Sequence, residues 1–183
     1  MRYRIALDLD NVVIDLHECW MPRVASLIGR PILREDLWTH DFHLVLQVDR
    51  SIIDQTYTMD LYHEALPLPG ALEGVRRLAA SHDIVICSTS PQEFDVVKNA
   101  WLERHLPGVT LDVRYCRPHE FKGQHLSDCA FLLDDYLKNF AGLPPGCKGV
   151  LYDQPWNRSD STYPRVATWS AFLAMMGIPV SSG

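Results

Sequence analysis

The chain lacks an excess of positive charge, and this excludes one class of partner. Its 183 residues include 17 Lys and Arg against 23 Asp and Glu, a formal net charge of −6 at pH 7. Nucleic-acid backbones and anionic membrane surfaces are held by basic fields. We therefore expect no polymeric nucleic acid and no membrane among its partners.

Long apolar runs and paired cysteines are also missing. No segment approaches the roughly 18 uninterrupted apolar residues of a membrane span. Asp8, Asp10 and Asp15 interrupt the apolar stretch near the amino terminus, so we expect no signal peptide. The five cysteines lie far apart with no CxxC pair, which argues against a zinc knuckle or a disulfide framework. These absences favour a cytoplasmic globular protein.

The chain does contain short apolar runs of strand length with helical patterns between them. This alternation is typical of an α/β domain with a largely parallel sheet. The predicted strands cover residues 4–9, 83–87, 111–115, 130–133 and 149–152. Helical spacing of apolar residues predicts helices over 70–81, around 94–102 and over 169–176.

One connection is too long for an ordinary crossover. More than seventy residues separate the first two predicted strands, whereas a βαβ crossover usually needs a few dozen. Residues 16–66 show mainly helical patterns, and a Pro-Leu-Pro-Gly segment at 67–70 then ends them. We predict a core formed by residues 1–15 and 67–183, with residues 16–66 inserted as a small helical cap.

Acidic pairs follow two of the predicted strands. Asp8 and Asp10 alternate with apolar residues at the end of the first strand, and Asp134 and Asp135 end a later one. The ends of parallel strands meet at one edge of a sheet, where ligands bind in open α/β folds. Four converging carboxylates suit a hard divalent cation, with Mg²⁺ as the first candidate.

Hydroxyl groups and a lysine complete the pattern. Ser88, Thr89 and Ser90 follow the second predicted strand and precede a proline, so they can meet an anion at a helix N-terminus. The alternative is a plain helix cap. Lys122 lies twelve residues before Asp134 and can neutralise a phosphate at the same edge, although a lone lysine is more often solvated surface.

Together, these motifs resemble those of the haloacid dehalogenase (HAD) superfamily of phosphohydrolases. Residues 8–12 correspond to motif one, 88–90 to motif two, Lys122 to motif three and 134–135 to motif four. Within that superfamily the chain resembles the 5′(3′)-deoxyribonucleotidases, which share the Thr-Ser-Pro found at 89–91. It departs from them at Asn11, where they usually carry Gly; Asn adopts left-handed backbone conformations more readily than most residues.

The resemblance implies a Rossmann-like core with a C1-type helical cap after the first strand, and an aspartyl-phosphate mechanism. Asp8 would be the nucleophile, and Asp10 the general acid and then the general base. Mg²⁺ would be held by the Asp8 side chain, the Asp10 backbone carbonyl and Asp134 or Asp135. Thr89, Ser88, Ser90 and Lys122 would bind the phosphate of a small phosphate monoester, most simply a (deoxy)ribonucleoside monophosphate.

Substrate choice is expected to reside in the cap. Trp20, Trp38, Phe42, Tyr57 and Tyr62 offer flat faces for stacking a nucleobase, or alternatively form the cap's own core. Two other functions stay open at this point. One is a HAD phosphatase for a sugar phosphate or another small metabolite. The other is a non-catalytic module that binds a phosphorylated ligand or a protein, which the intact acids disfavour.

Overall fold

The computed structural model describes residues 2–179 and contains one parallel sheet. Its strands are β1 (Arg4–Leu7), β2 (Asp83–Thr89), β3 (Leu111–Cys116), β4 (Phe131–Asp134), β5 (Lys148–Tyr152) and β6 (Arg165–Val166). Their order is β3-β2-β1-β4-β5-β6, and every pairing in this sheet is parallel. The predicted Rossmann-like α/β fold is confirmed. The sixth strand was not predicted because two residues carry no periodic pattern.

Seven α-helices accompany the sheet within the described residues. They are α1 (Leu16–Ile28), α2 (Phe42–Leu46), α3 (Arg50–Thr56), α4 (Leu61–Glu64), α5 (Ala71–Ala79), α6 (Asp95–His105) and α7 (Trp169–Met175). The first four lie within residues 16–66, as the helical patterns of that segment indicate. None of the helices in residues 2–179 has the length and apolar character needed to cross a bilayer.

The order of the strands determines where a ligand can bind. Strand β1 lies between β2 and β4, with Leu7 opposite Ile86 on one side and Leu133 on the other. From β1 the chain adds β2 and β3 on one side of the sheet, and it then crosses back to add β4, β5 and β6 on the other side. This reversal forms a crevice at the carboxyl ends of β1 and β4, which is the usual ligand position in such sheets.

The segment 16–66 leaves the core and returns to it at a single place. The Asp15 amide donates to the Leu66 carbonyl at 2.8 Å, and the Leu68 amide donates to the Val13 carbonyl at 2.9 Å. The indole of Trp101, on α6, also donates to the carbonyl of Ala65 at 2.8 Å. The segment that enters residues 16–66 and the segment that leaves them are therefore hydrogen-bonded to each other directly after β1, next to the crevice.

Candidate active site

Three carboxylates meet in the crevice. Asp8 follows β1, Asp134 ends β4 and Asp135 comes next; one oxygen of each lies within 4.8 Å of one oxygen of the other two. All three residues are buried. The fourth predicted carboxylate, that of Asp10, is outside this cluster because it is hydrogen-bonded to Lys98 and Tyr62.

Lys122 supplies the positive charge of the cluster. Its Nζ atom lies 2.7 Å from Oδ1 of Asp8 and 2.6 Å from Oδ2 of Asp134, and the side chain is 1 % exposed. Burial alone would lower the pKa of Lys122, but the charges of Asp134 and Asp8 outweigh it and raise that pKa. The lysine is therefore an ammonium group within reach of the crevice.

One ammonium does not balance three buried carboxylates. Burial, together with the neighbouring charge of Asp134, raises the pKa of Asp8 to about 7 despite Lys122. Burial and the charge of Asp8 likewise raise the pKa of Asp135 well above its ordinary value. A site that resists ionisation in this way favours a bound cation, and oxygen ligands are those preferred by Mg²⁺.

The hydrogen bonds distinguish Asp134 from Asp135 as ligands. Both carboxylate oxygens of Asp134 already accept hydrogen bonds. Lys122 donates to Oδ2, and the Tyr136 backbone amide and the Asn139 side-chain amide each donate to Oδ1 at 2.9 Å. Within the described residues, the carboxylate of Asp135 accepts a hydrogen bond only from the Trp156 indole, on Oδ2. The donor set thus fits a cation held by Asp8 and Asp135, with Asp134 orienting Lys122.

The hydroxyl residues occupy two different environments. Thr89 ends β2 and borders the crevice, and its Oγ1 is buried without a hydrogen-bond partner, as is Oγ of Ser90. An unpartnered buried hydroxyl is unfavourable, so that of Thr89 fits a position where a ligand oxygen binds. Ser90, although also unpartnered, does not line the cleft. Ser88 does not border the crevice: it is fully buried, and its Oγ accepts from Lys98 Nζ at 2.7 Å.

Asp10 has partners that the sequence analysis missed. The Tyr62 hydroxyl donates to Oδ1 at 3.0 Å and to Oδ2 at 2.9 Å, and Lys98 Nζ lies 2.9 Å from Oδ2. A signal for Lys98 was available, since it shares helical spacing with Phe94, Trp101 and Leu102 and so lies on an otherwise apolar face. A lysine on such a face needs a buried counter-ion.

The turn after β1 has the conformation expected at Asn11. Its φ is +59°, in the left-handed region, and its side-chain oxygen accepts from the His17 amide at 3.2 Å. Gln154 donates to its carbonyl at 2.9 Å. The turn therefore survives the replacement of the usual Gly, as predicted from the tolerance of Asn for this region.

The crevice opens into a cleft of about 730 Å³ beneath residues 16–66. Phe42 and Tyr57 line it, in keeping with their predicted position. Trp20 does not, because it is fully buried among the helices and donates to Thr56. Trp38 is 66 % exposed and borders a separate groove outside the cleft. The residues of segment 16–66 along the cleft are His40, Asp41, Phe42, His43, Arg50, Ile53, Asp54 and Tyr57.

Comparison with known proteins identifies the family. Residues 2–180 match the family described as 5′ nucleotidase, deoxy (Pyrimidine), cytosolic type C protein. The chain belongs to this family. A Bordetella bronchiseptica member, provisionally named a 5′(3′)-deoxyribonucleotidase, is 28 % identical over 184 residues, covering 93 % of this chain and 95 % of the relative. The 5′(3′)-deoxyribonucleotidase of Bacillus subtilis is 22 % identical over 173 residues, covering 92 % and 95 %.

Solved structures agree with the fold of this nucleotidase-family chain. A haloacid dehalogenase-like hydrolase of Streptococcus pneumoniae superposes with a TM-score of 0.63 at 13 % identity, covering 96 % of this chain and 98 % of the other. A provisionally assigned HAD hydrolase of Bacillus subtilis, described as bound to magnesium, gives 0.61 at 14 % identity, covering 97 % and 100 %. The predicted assignment to HAD phosphohydrolases of the deoxyribonucleotidase type is confirmed, and the chain is a phosphomonoester hydrolase.

Proposed function

We propose that the chain is a Mg²⁺-dependent 5′-nucleotidase that hydrolyses (deoxy)ribonucleoside monophosphates through an aspartyl-phosphate intermediate. The observation that carries this proposal is the position of Asp8 directly after β1, where its carboxylate contacts the Lys122 ammonium and lines the same cleft as Thr89. Lys122 offers a positive charge to the phosphoryl oxygens, and the Thr89 hydroxyl has no other partner. This arrangement suits stabilisation of charge in phosphoryl transfer.

The proposed metal site combines two carboxylates of the acidic cluster with one backbone carbonyl. Asp8, the backbone carbonyl of Asp10 and Asp135 would hold Mg²⁺, which when bound neutralises charge on the phosphoryl oxygens. Asp8 is itself oriented, since its Oδ1 accepts from the Leu9 amide at 2.8 Å. Asp134 stays outside the metal's ligands because its oxygens are satisfied by protein donors.

Asp8 and Asp10 divide the chemistry between them. In the first step, a bond forms between a carboxylate oxygen of Asp8 and phosphorus, and the ester P–O bond breaks. Asp10 transfers its proton to the departing oxygen. In the second step, Asp10 takes a proton from water, the water oxygen attacks phosphorus, and the Asp8–phosphorus linkage breaks to release phosphate.

The nucleotide substrate is supported by the family and by the cleft. The family description and the names of the relatives refer to deoxynucleotides. The volume of about 730 Å³ lies in the usual range for small-molecule sites. Phe42 and Tyr57 add aromatic surface to the cleft wall, which suits a nucleobase.

A substrate panel with one variant tests these statements. We expect Mg²⁺-dependent phosphate release from nucleoside monophosphates, and loss of turnover in Asp8→Asn with a cooperative thermal transition retained. Asp112→Asn, at a half-exposed acid outside the cleft, serves as the matched control. Residual activity above about a tenth in Asp8→Asn would exclude the nucleophile. Faster hydrolysis of sugar phosphates than of every nucleotide would overturn the proposed substrate.

A further inference from the structure

A second buried lysine lies behind the cleft and contacts Asp10, not Asp8. Lys98 is on α6 and is fully buried, and its Nζ lies 2.9 Å from Oδ2 of Asp10. The other hydrogen bond of this ammonium is to Oγ of Ser88, at 2.7 Å. Unlike Lys122, Lys98 does not border the cleft.

Given the proposed phosphatase activity, we propose that Lys98 is a positioning residue that orients the Asp10 carboxyl group for proton transfer to the leaving group. Lys98 contacts Oδ2 of Asp10 and not Oδ1, so it holds the carboxyl group through one oxygen and leaves the other on the side of the leaving group. Tyr62 supports the same orientation, because its hydroxyl lies within 3.0 Å of both carboxyl oxygens. Tyr62 itself is buried, and Arg104 donates to its carbonyl at 3.0 Å.

Packing alone does not account for Lys98. Transferring an ammonium group from water to a protein interior is unfavourable, and an apolar side chain of similar volume is often at least as stable there. Its neighbours on the helix face, Trp101 and Leu102, are buried apolar residues. Methionine would fit this face, so the lysine is explained by the group that it binds.

The nature of the leaving group distinguishes this role from a structural one. Hydrolysis of a nucleoside monophosphate releases an alkoxide, a strong base that needs the proton of Asp10 as the P–O bond breaks. Hydrolysis of p-nitrophenyl phosphate releases p-nitrophenolate, which is stable as an anion near neutral pH. Misorientation of Asp10 therefore impairs the first reaction far more than the second.

The test compares kcat/KM for both substrates in Lys98→Met. This quantity reports the steps up to departure of the leaving group, so hydrolysis of the shared phosphoenzyme does not affect it. We expect kcat/KM for a deoxynucleoside monophosphate to fall about 100-fold, the lower range of a general-acid contribution, and that for p-nitrophenyl phosphate to fall less than about tenfold. Lys148→Met, at an exposed lysine at the start of β5, should leave both values unchanged.

A second variant and a second readout keep the test decisive. Tyr62→Phe should shift the ratio of the two substrates in the same direction, and it replaces Lys98→Met if that protein does not fold. The dissociation constant of inorganic phosphate should stay within about twofold of wild type in both variants, because neither side chain lines the cleft.

Each outcome has one interpretation. Equal losses on the two substrates, or weakened phosphate binding that accounts for the loss, would overturn the positioning role of Lys98 while leaving the proposed function intact. A wild-type protein that releases no phosphate from either substrate would instead overturn the proposed function, and the role of Lys98 with it.

Discussion

The indole nitrogen of Trp156 donates a hydrogen bond of 2.9 Å to Oδ2 of Asp135. Trp156 is buried in the turn after β5, and the next residue, Asn157, donates to the Asp135 carbonyl at 2.8 Å. The side chain and the backbone of Asp135 are therefore both anchored by one loop. A carboxylate anchored through one oxygen presents the other oxygen to a cation in a fixed direction.

Removing this anchor should weaken metal binding. In Trp156→Phe one aromatic ring is kept and the N–H donor is lost with the pyrrole half of the indole, so we expect the Mg²⁺ concentration for half-maximal phosphate release to rise about tenfold. Calorimetric titration of Mg²⁺ should show the same change without substrate. Trp38→Phe, at a mostly exposed tryptophan, is the matched control. An unchanged Mg²⁺ dependence in Trp156→Phe would show that Asp135 needs no such anchor.

The cap side of the cleft gives a prediction about substrate binding. Phe42 lines the cleft and also packs on Trp20 and Trp156, so Phe42→Leu removes the aromatic face while keeping most of the volume. Loss of base stacking should raise KM for a nucleoside monophosphate about tenfold. KM for β-glycerophosphate, which has no base, should stay the same. Parallel changes for both substrates would mean that Phe42 shapes the cleft without contacting a base.

Local patterns in the sequence predicted five of the six strands and the convergence of three acidic side chains at one edge of the sheet. Strands buried on both faces produce continuous apolar runs, so β1, β2, β4 and β5 could be found within a few residues. Because parallel strands end at one edge, the positions of Asp8, Asp134 and Asp135 followed from those runs, whereas Lys122 was assigned from its place before β4 and from the motif resemblance.

Contacts between distant segments could not be predicted in the same way. The bonds of Asp10 to Lys98 and Tyr62 join residues that lie 88 and 52 positions away. The sequence likewise does not show which aromatic side chains of residues 16–66 line the cleft, so buried Trp20 and exposed Trp38 were grouped with Phe42 and Tyr57. Such distinctions depend on helix packing, for which the short helices carry little periodic signal.

The contact between Gly74 and Trp169 leads to a prediction about stability. A Cβ atom at Gly74 would lie 2.3 Å from Cε3 of the Trp169 ring, which is buried and anchored by its bond to the Val12 carbonyl. Alanine favours an α-helix over glycine by about 1 kcal/mol, but overpacking typically costs about 1–3 kcal/mol. We expect Gly74→Ala to lower the free energy of unfolding in urea by about 1 kcal/mol.

A double variant checks the cause of that loss. In a Trp169→Leu background the ring is absent, so Gly74→Ala should be neutral or stabilising there. This would appear as a coupling energy between the two positions of about 1–2 kcal/mol. Additive effects would place the loss elsewhere, for example in the helix backbone itself.

Burial of His17 predicts that stability falls in mild acid. The side chain is fully buried, with Nε2 2.6 Å from the Tyr57 hydroxyl, and Nδ1 has no partner. Burial, with smaller contributions from His40 and Arg34, keeps the pKa of His17 well below its ordinary value of 6.5. Below that pH the unfolded chain binds a proton that the folded chain does not, so the free energy of unfolding decreases as pH falls.

The predicted magnitude follows from this linkage. One such histidine contributes up to about 1.4 kcal/mol per pH unit below its unfolded pKa. Urea unfolding at pH 7.0 and 5.5 should therefore show a smaller acid-induced loss for His17→Gln than for wild type, even if the variant is less stable at both pH values. His63→Gln, at an exposed histidine, should leave the loss unchanged. The same acid-induced loss in His17→Gln as in wild type would mean that His17 gains its proton without unfolding, for instance by local opening of α1.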